Sequence, residues 1–80
     1  MNIGEAVKER ILELRSERDI SINKLCSMSG VTQSTVNNII SGRNHSATVS
    51  TIKKLCDGLG ITIEDFFNSE LFRNLEQEIQ

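Results

Sequence analysis

Apolar residues recur at three- and four-residue steps along most of the chain, which is the spacing of one face of an α-helix. The first such stripe consists of Ile3, Val7, Ile11 and Leu14. Charged residues lie between these positions, so an amphipathic helix is predicted over about residues 3–18. Asp19 and Ile20 close it, and we assign this helix to the scaffold.

Two shorter helices are predicted next, separated by a glycine turn. Ser21 can cap a second helix whose inward residues are Ile22, Leu25 and Cys26. Gly30 supplies a left-handed residue at its end, and Thr32 can cap a third helix with the inward stripe Val36, Ile39 and Ile40. Two short helices around a tight turn, with a small residue four positions before the glycine, indicate a helix-turn-helix over residues 22–41.

Two further helices are predicted over residues 48–67. Gly42 marks the end of the third helix, Thr48 can cap a fourth, and Gly60 ends it. The inward residues of the fourth helix are Ile52, Leu55, Cys56 and Leu59. Thr62 precedes a fifth helix in which Phe66 and Phe67 are expected to seal the core. The chain is therefore predicted to be all-α, with residues 1–68 as its helix-turn-helix domain.

The residues after position 68 carry more apolar surface than a terminal tail needs. Ser69 can cap an amphipathic helical extension over residues 69–80. Its apolar face would consist of Leu71, Phe72, Leu75 and Ile79. We expect this face to mediate dimerisation or to bind a partner protein.

Composition limits the other classes of protein. Eighty residues form one domain, and the 38% of hydrophobic residues are enough for a compact core. The chain has no apolar run that could span a bilayer and no signal peptide, which predicts a cytosolic protein without membrane contact. Cys26 and Cys56 lie too far apart for a zinc motif, with only His45 as a companion, so we expect reduced core thiols, no metal and no cofactor. No site for a small-molecule effector is evident.

The distribution of charge qualifies the acidic total. A net charge of −2 and a pI near 5.3 are unusual for a protein that binds nucleic acid. Residues 21–60, however, carry four basic side chains and one acidic one, and no carboxylate lies between Asp19 and Asp57. Such a carboxylate-free stretch suits contact with a polyanion, although chance spacing could also produce it.

The outward face of the third helix (33–41) is polar and uncharged. Its residues are Gln33, Ser34, Asn37, Asn38 and Ser41. A helix exposed only to solvent usually carries Lys, Glu or Arg at such positions. Amide side chains match the donor and acceptor of adenine in the major groove, and a serine hydroxyl can serve any base. We therefore predict that this face contacts bases in a DNA site that contains A·T pairs.

Contacts to the DNA backbone are predicted around this helix. The amino termini of the second and third helices attract phosphate, and the loop after the third helix is polar. The phosphate or secondary contacts are assigned to Ser21, Asn23, Thr32, Asn38, Ser41, Arg43, Asn44 and His45. His45 is equally well read as an exposed loop residue without a role, and Lys53 and Lys54 are read as solvated helix residues.

The stretches SINKLCSMSGVTQSTVNNIISGR and TIKKLCDGLGITIEDFF resemble the Cro/repressor-type, or XRE-like, helix-turn-helix family. The resemblance runs from about Val7 to Phe67. It implies a compact bundle of five helices that binds double-stranded operator DNA, commonly as a homodimer on a palindromic site, and acts chiefly as a repressor. It also implies base reading at Gln33, Ser34 and Asn37, and loop contacts at Arg43 and Asn44.

Two positions depart from the family pattern. The family often has Gln at the first residue of the second helix, where it bridges a phosphate and the recognition helix, and this chain has Ile22. We expect that bridge to be missing. The family also often pairs an Arg late in the first helix with a Glu late in the third, but here Arg15 would face Ile40. Arg15 is then free to approach DNA or to pair with Asp19.

Three functions remain as hypotheses. The first is a repressor that acts by occupying an operator, because eighty residues leave no room for an effector domain. A related hypothesis is an antitoxin or mobile-element regulator whose C-terminal segment binds a partner protein. The second is a helical protein-binding module without DNA binding, which the acidic pI favours. The third is an enzyme. A single histidine, distant cysteines and the lack of a glycine-rich phosphate loop leave that idea without a site.

Overall fold

Helices account for most of residues 1–41 and 47–79, the part of the chain that the computed structural model describes. The helices are α1 (Ile3–Glu17), α2 (Ile22–Ser29), α3 (Gln33–Ile40), α4 (Val49–Leu59) and α5 (Ile63–Phe67), followed by one turn of 3₁₀ helix, Glu70–Phe72. No strand occurs in these residues, so the predicted all-α fold of five helices is confirmed. None of the described helices has the length and apolar character needed to cross a membrane.

Each helix begins at a polar side chain that accepts a hydrogen bond from an amide of its first turn. The caps are Asn2, Ser21, Thr32, Thr48 and Thr62. The last four confirm the predicted starts, whereas Asn2 was not singled out by the sequence pattern. Gly30 and Gly60 end α2 and α4 with φ of 65° and 72°, a left-handed conformation that costs glycine little. The predicted stop at Gly42 lies outside the described residues.

The core is built from the inward stripes that the periodicity predicts. Its buried residues are Val7, Ile11, Leu14, Leu25, Cys26, Val36, Ile39, Ile52, Leu55, Cys56, Leu59 and Phe66. Ile22 and Ile40 pack against this cluster but are only partly buried. Phe66 is fully buried, whereas Phe67 is 36% exposed and contacts Phe66 edge to face. The prediction that both phenylalanines seal the core therefore holds for Phe66 alone.

Helices α2 and α4 form the main tertiary contact, and they approach closely at Gly58. A Cβ atom on Gly58 would lie 2.2 Å from Ser29 Oγ and 2.9 Å from Ser29 Cα. Real side chains do not pack at such distances, so this crossing requires glycine. The sequence pattern indicates a small residue beside the turn, at Cys26, but it does not indicate this second position.

Arg10 ties α5 to α1. Its Nε atom donates to the carbonyl of Phe66 at 2.7 Å, and one terminal nitrogen donates to the carbonyl of Asp65 at 2.8 Å. The other terminal nitrogen pairs with Glu13 on α1. The guanidinium thereby provides a donor to the Phe66 carbonyl at the end of α5 and a second donor to the Asp65 carbonyl, which also accepts from the amide of Asn68.

The amphipathic helix predicted over residues 69–80 does not form beyond Phe72. A dozen residues gain too little from local hydrogen bonds to stay helical in water without packing along one whole face. Here Phe72 turns to the core and contacts Phe67 at 4.9 Å between ring centroids. Leu71 and Leu75 are partly buried and Ile79 is 81% exposed, so the four apolar residues do not share a helical face.

The segment that follows the 3₁₀ turn runs back toward the start of the chain. The amide of Glu76 donates to the carbonyl of Met1 at 3.2 Å, and the Glu76 carboxylate lies 3.6 Å from the Met1 amino group. The 3₁₀ turn itself packs on α1. Much of the extension is thus folded against its own domain.

Candidate nucleic-acid interface

Helices α2 and α3 form the predicted helix-turn-helix. The turn closes through hydrogen bonds from the amides of Gly30 and Val31 to the carbonyl of Cys26. Val36 and Ile39 lie on the inward face of α3 and are buried. Helix α3 was predicted over residues 33–41, and it extends over Gln33–Ile40 with Ser41 as its carboxyl-terminal cap.

The side chains predicted to face DNA lie together on the exposed side of α3. Gln33, Ser34, Asn37, Asn38 and Ser41 are all exposed. They occupy positions one and four residues apart, so they form one continuous strip about two turns long. This strip carries amides and hydroxyls and no charge, which is the chemistry needed to read base edges by hydrogen bonding.

The residues predicted to contact phosphate are only partly placed. Ser21 accepts from the amide of Lys24 at 3.0 Å, and Thr32 accepts from the amide of Thr35 at 3.2 Å, so both act as helix caps. Remaining amides of each first turn stay without a helical partner and can bind an anion. Arg43, Asn44 and His45 lie outside the described residues.

Asn23 on α2 contacts the first residue of the recognition helix. The Nε2 atom of Gln33 donates a hydrogen bond to Oδ1 of Asn23. Ile22, at the position where the family often has the bridging Gln, packs against the core. The next residue, Asn23, provides an amide contact to α3 instead. The sequence did mark Asn23 as a neighbour of the DNA surface, but periodicity does not report a contact between two helices.

Arg15 does not pair with Asp19, which was one of the two roles proposed for it from the sequence. Its terminal nitrogen donates to the carbonyl of Ile20 at 2.8 Å, and the side chain is partly buried. This contact holds the connection between α1 and α2. Asp19 lies in that connection with φ of 52°, a left-handed conformation that is unfavourable for a residue other than glycine.

The charges around the helix-turn-helix favour an anionic partner. The carboxylates nearest in sequence are Asp19 before it and Asp57 after it. Asp57 accepts a hydrogen bond from Lys53 at 2.6 Å, and this contact raises the pKa of Lys53. That pair agrees with the reading of Lys53 as a surface residue of α4.

The two cysteines are buried and free, as predicted. Burial raises the pKa of both the Cys26 and Cys56 thiols, which keeps them protonated near neutral pH. Cys26 borders an open concavity of about 370 Å³ in the angle between α2 and α3, which also includes Asn23 and Gln33. Over residues 1–41 and 47–79, no group of three His, Cys, Asp or Glu side chains could hold a metal ion.

Two helices are joined by a tight turn, and the second of them, α3, buries Val36 and Ile39 and exposes a polar strip to solvent. This arrangement defines a helix-turn-helix DNA-binding domain. The sequence model of the family described as Cro/C1-type HTH DNA-binding domain matches residues 10–70, and the chain belongs to this family. The resemblance seen in the sequence is thus confirmed.

Two particular proteins are similar to this chain. The HTH-type transcriptional repressor RghR of Bacillus subtilis (strain 168) is 35% identical over 60 residues, which are 75% of this chain and 44% of that protein. This chain thus spans less than half the length of RghR. The crystal structure of the prophage Lp1 protein 11 superimposes with a TM-score of 0.82 at 37% identity, over 94% of this chain and 100% of that one.

Proposed function

We propose that this protein is a transcriptional repressor that binds a specific operator and acts by occupying it. The observation that carries this proposal is the exposed, uncharged strip of amides and hydroxyls on α3. The strip lies in a sequence interval without carboxylates, although the whole chain is acidic. The chain belongs to the Cro/C1-type family and is similar to a transcriptional repressor, and both findings support the same function.

In this proposal α3 lies in the major groove. Gln33, Ser34 and Asn37 contact base edges, and the two amides favour adenine because each offers one donor and one acceptor in a plane. The operator is therefore a double-stranded site that contains A·T pairs at the contacted positions. Contacts to phosphate or secondary contacts come from Ser21, Asn23, Thr32, Asn38, Ser41, Arg43, Asn44 and His45.

We further propose that the protein binds a palindromic operator as a homodimer in the cytoplasm, as members of a two-fold symmetric family would. The apolar residues after α5 are the proposed contact, namely Leu71, Phe72, Leu75 and Ile79. Of these, Ile79 is the most exposed, and Phe72 is already packed on the core. The contribution of Phe72 would therefore be to hold the segment in place.

Selection from a random duplex library, followed by titration of the chosen site at low and moderate salt, tests the proposal. We expect one enriched sequence, and binding that weakens as salt rises because bound cations are released from the phosphates. Failure to enrich any sequence, together with binding that does not depend on salt, contradicts the proposal and favours a protein-binding module.

Sedimentation of the full chain tests the dimer. We expect Ile79→Ser to shift the equilibrium toward monomer and to broaden the spacing requirement between half-sites. Gln77→Ser is the matched control, because Gln77 is also exposed in the same segment and has no apolar surface of comparable size. A parent protein that stays monomeric on DNA and in solution contradicts the dimer.

A further inference from the structure

We infer that α4 and α5 repeat the construction of α2 and α3, and that the face of α5 which corresponds to the proposed base-reading face of α3 binds the chain's own C-terminal segment. This segment comprises residues 69–79, and Phe72 is the residue bound. The inference rests on the proposed function only for the role given to α3. It assigns the second pair of helices a binding face whose chemistry differs from that of the first.

The repeat is present in the sequence at an offset of thirty residues. Residues 22–32 read INKLCSMSGVT, and residues 52–62 read IKKLCDGLGIT. Six of these eleven positions are identical, and one more pairs a valine with an isoleucine. A tight turn between helices favours the glycine, the capping threonine and a small residue before them. It does not require the exposed lysine that both stretches carry, at Lys24 and Lys54, so the similarity exceeds what the turn needs.

The two turns also share their backbone structure. In each, a glycine adopts a left-handed conformation, with φ of 65° in the first turn, 72° in the second and ψ of 30° in both. The amide after the glycine donates to a buried cysteine carbonyl, that of Cys26 at 3.1 Å and that of Cys56 at 3.0 Å. A threonine two residues after the glycine caps the next helix in both units. The corresponding core residues, each at most 4% exposed, are Leu25 and Leu55, Cys26 and Cys56, and Val36 and Phe66.

The outward faces of the two units carry different chemistry. On α3 the exposed positions 33, 34, 37 and 38 carry amides and a hydroxyl. The corresponding positions of α5 and its cap are occupied by Ile63, Glu64, Phe67 and Asn68. Ile63 packs against the core, and the carboxylate of Glu64 would repel a phosphate. This second face therefore suits an apolar ligand and not DNA.

The C-terminal segment occupies the apolar part of the second face. Phe67, at the position that corresponds to Asn37, contacts Phe72 edge to face with 4.9 Å between ring centroids. The ring of Phe72 also lies 6.2 Å from that of Phe66, so it contacts both an exposed and a buried residue of α5. Aromatic pairs at such distances stabilise beyond the area that they bury. The position that reads a base in the first unit thus holds a ring in the second.

Phe67→Asn tests whether α5 holds the segment through this face. The variant places at position 67 the residue that α3 has at the corresponding position. Amide hydrogen exchange in the full chain is measured by NMR. We expect the amide of Glu76, which donates to Met1, to exchange roughly tenfold faster once the ring contact is lost. The amide of Ile61 should keep its protection, because its hydrogen bond belongs to the turn and not to the face.

Phe72→Ala removes the bound ring and leaves the binding face in place. It should accelerate exchange at Glu76 to a similar extent. The double variant Phe67→Asn with Phe72→Ala should accelerate it no further, because both substitutions break the same contact. Glu64→Ser is the matched control, since it also installs the residue of α3 at an exposed corresponding position but leaves both rings intact. Its exchange rates should equal those of the parent.

Three results would each overturn the inference. Unchanged exchange at Glu76 in Phe67→Asn would show that α5 does not hold the segment. Equal acceleration at Glu76 and Ile61 would show that residue 67 belongs to the scaffold. Additive effects in the double variant would show that the two rings act separately. None of these measurements involves DNA, so a parent chain that selects no operator would contradict the proposed function while the exchange data still decide the binding face of α5.

The repeated construction has its own test at the two turns. A Cβ atom on Gly30 or Gly60 would meet nothing within 4 Å beyond its chain neighbours, so alanine at either position bears only the cost of the left-handed backbone. We expect Gly30→Ala and Gly60→Ala to lower the melting temperature by amounts that agree within about a factor of two. A loss at one turn without a loss at the other would show that the turns are not equivalent and would overturn the repeat.

Discussion

Gln33 and Asn37 lie one helical turn apart on α3, and both are exposed. Under the proposed function they contribute to the complex with DNA and not to the fold, because neither side chain is part of the core. Substitutions at these residues can therefore be read as changes in recognition, provided that the variants retain the helical content and the melting temperature of the parent.

We expect Gln33→Ala and Asn37→Ala each to weaken operator binding by about 1–3 kcal/mol and to relax preference at one base pair. Arg43→Ala should instead weaken binding to all sequences and flatten the dependence of log K on log salt by about one unit. Titrations of selected and scrambled duplexes at several salt concentrations distinguish the two patterns. Equal behaviour of both kinds of variant would show that the assignment of base and phosphate contacts is wrong.

Asp19 offers a second residue-scale prediction, this time about stability. Its φ of 52° is unfavourable for a residue with a Cβ atom. Asp19→Gly should therefore raise the free energy of unfolding, by up to about 1 kcal/mol after the loss from the more flexible unfolded chain. Glu17→Gly, within α1, is the control and should lower it by about 1 kcal/mol. Urea denaturation measures both, and a destabilised Asp19→Gly variant would contradict the expectation.

At the scale of the helices, the fold was predictable wherever local signals agreed. The caps at Ser21, Thr32, Thr48 and Thr62 and the glycines after α2 and α4 act within a few residues, so they can be read directly along the chain. Contacts between helices could not be read in this way. The Asn23–Gln33 hydrogen bond, the Arg15–Ile20 contact and the approach of Gly58 to Ser29 depend on how elements are placed in space.

The crossing of α2 and α4 makes Gly58 sensitive to any side chain. Alanine favours helices over glycine by about 1 kcal/mol, which alone would stabilise α4. The Cβ atom would nevertheless lie 2.9 Å from the Cα atom of Ser29, and a backbone atom cannot rotate away. We expect Gly58→Ala to cost about 1–3 kcal/mol of stability in thermal or urea unfolding. Lys54→Ala, at an exposed position of α4, should change stability by less than about 0.5 kcal/mol.

Arg10 makes a similar test of the contact between α1 and α5. Arg10→Gln would remove the side-chain donor to the Phe66 carbonyl and one of the two donors to the Asp65 carbonyl, and the Arg10 side chain is only 12% exposed. We expect a loss of about 2–3 kcal/mol in the free energy of unfolding. Glu13→Gln removes the ion pair but keeps both carbonyl contacts, and it should cost less than about 1 kcal/mol. Similar losses in the two variants would mean that the ion pair, and not the carbonyl contacts, dominates.

At the scale of the whole molecule, the sequence identified the family, the helix-turn-helix and the exposed strip of α3, but it gave a wrong structure for residues 69–80. The spacing of Leu71, Phe72, Leu75 and Ile79 fits a helix face, yet period alone cannot tell whether a segment has a surface to pack on. The aromatic cluster and the contact between Glu76 and Met1 draw the segment onto the domain instead.

This arrangement predicts unequal roles for the apolar residues of the C-terminal segment. Phe72→Ala should destabilise the domain by about 2 kcal/mol, less than the 3–5 kcal/mol of a fully buried phenylalanine, because Phe72 is only partly buried. Ile79→Ser should leave the melting temperature unchanged, since Ile79 is 81% exposed. Differential scanning calorimetry at low protein concentration measures both, and equal melting temperatures would contradict the packing of Phe72 on the core.

The division of α3 between two buried and four exposed positions has a consequence for how such regulators can diversify. Val36 and Ile39 hold the helix, so the outward residues can be exchanged for others while the same scaffold folds beneath them. A library at the exposed positions of α3 would then yield proteins that repress from different operators without interfering with one another. Position 33 differs from the others, because its side chain also contacts Asn23 on α2, so an exchange there removes a contact between the two helices as well.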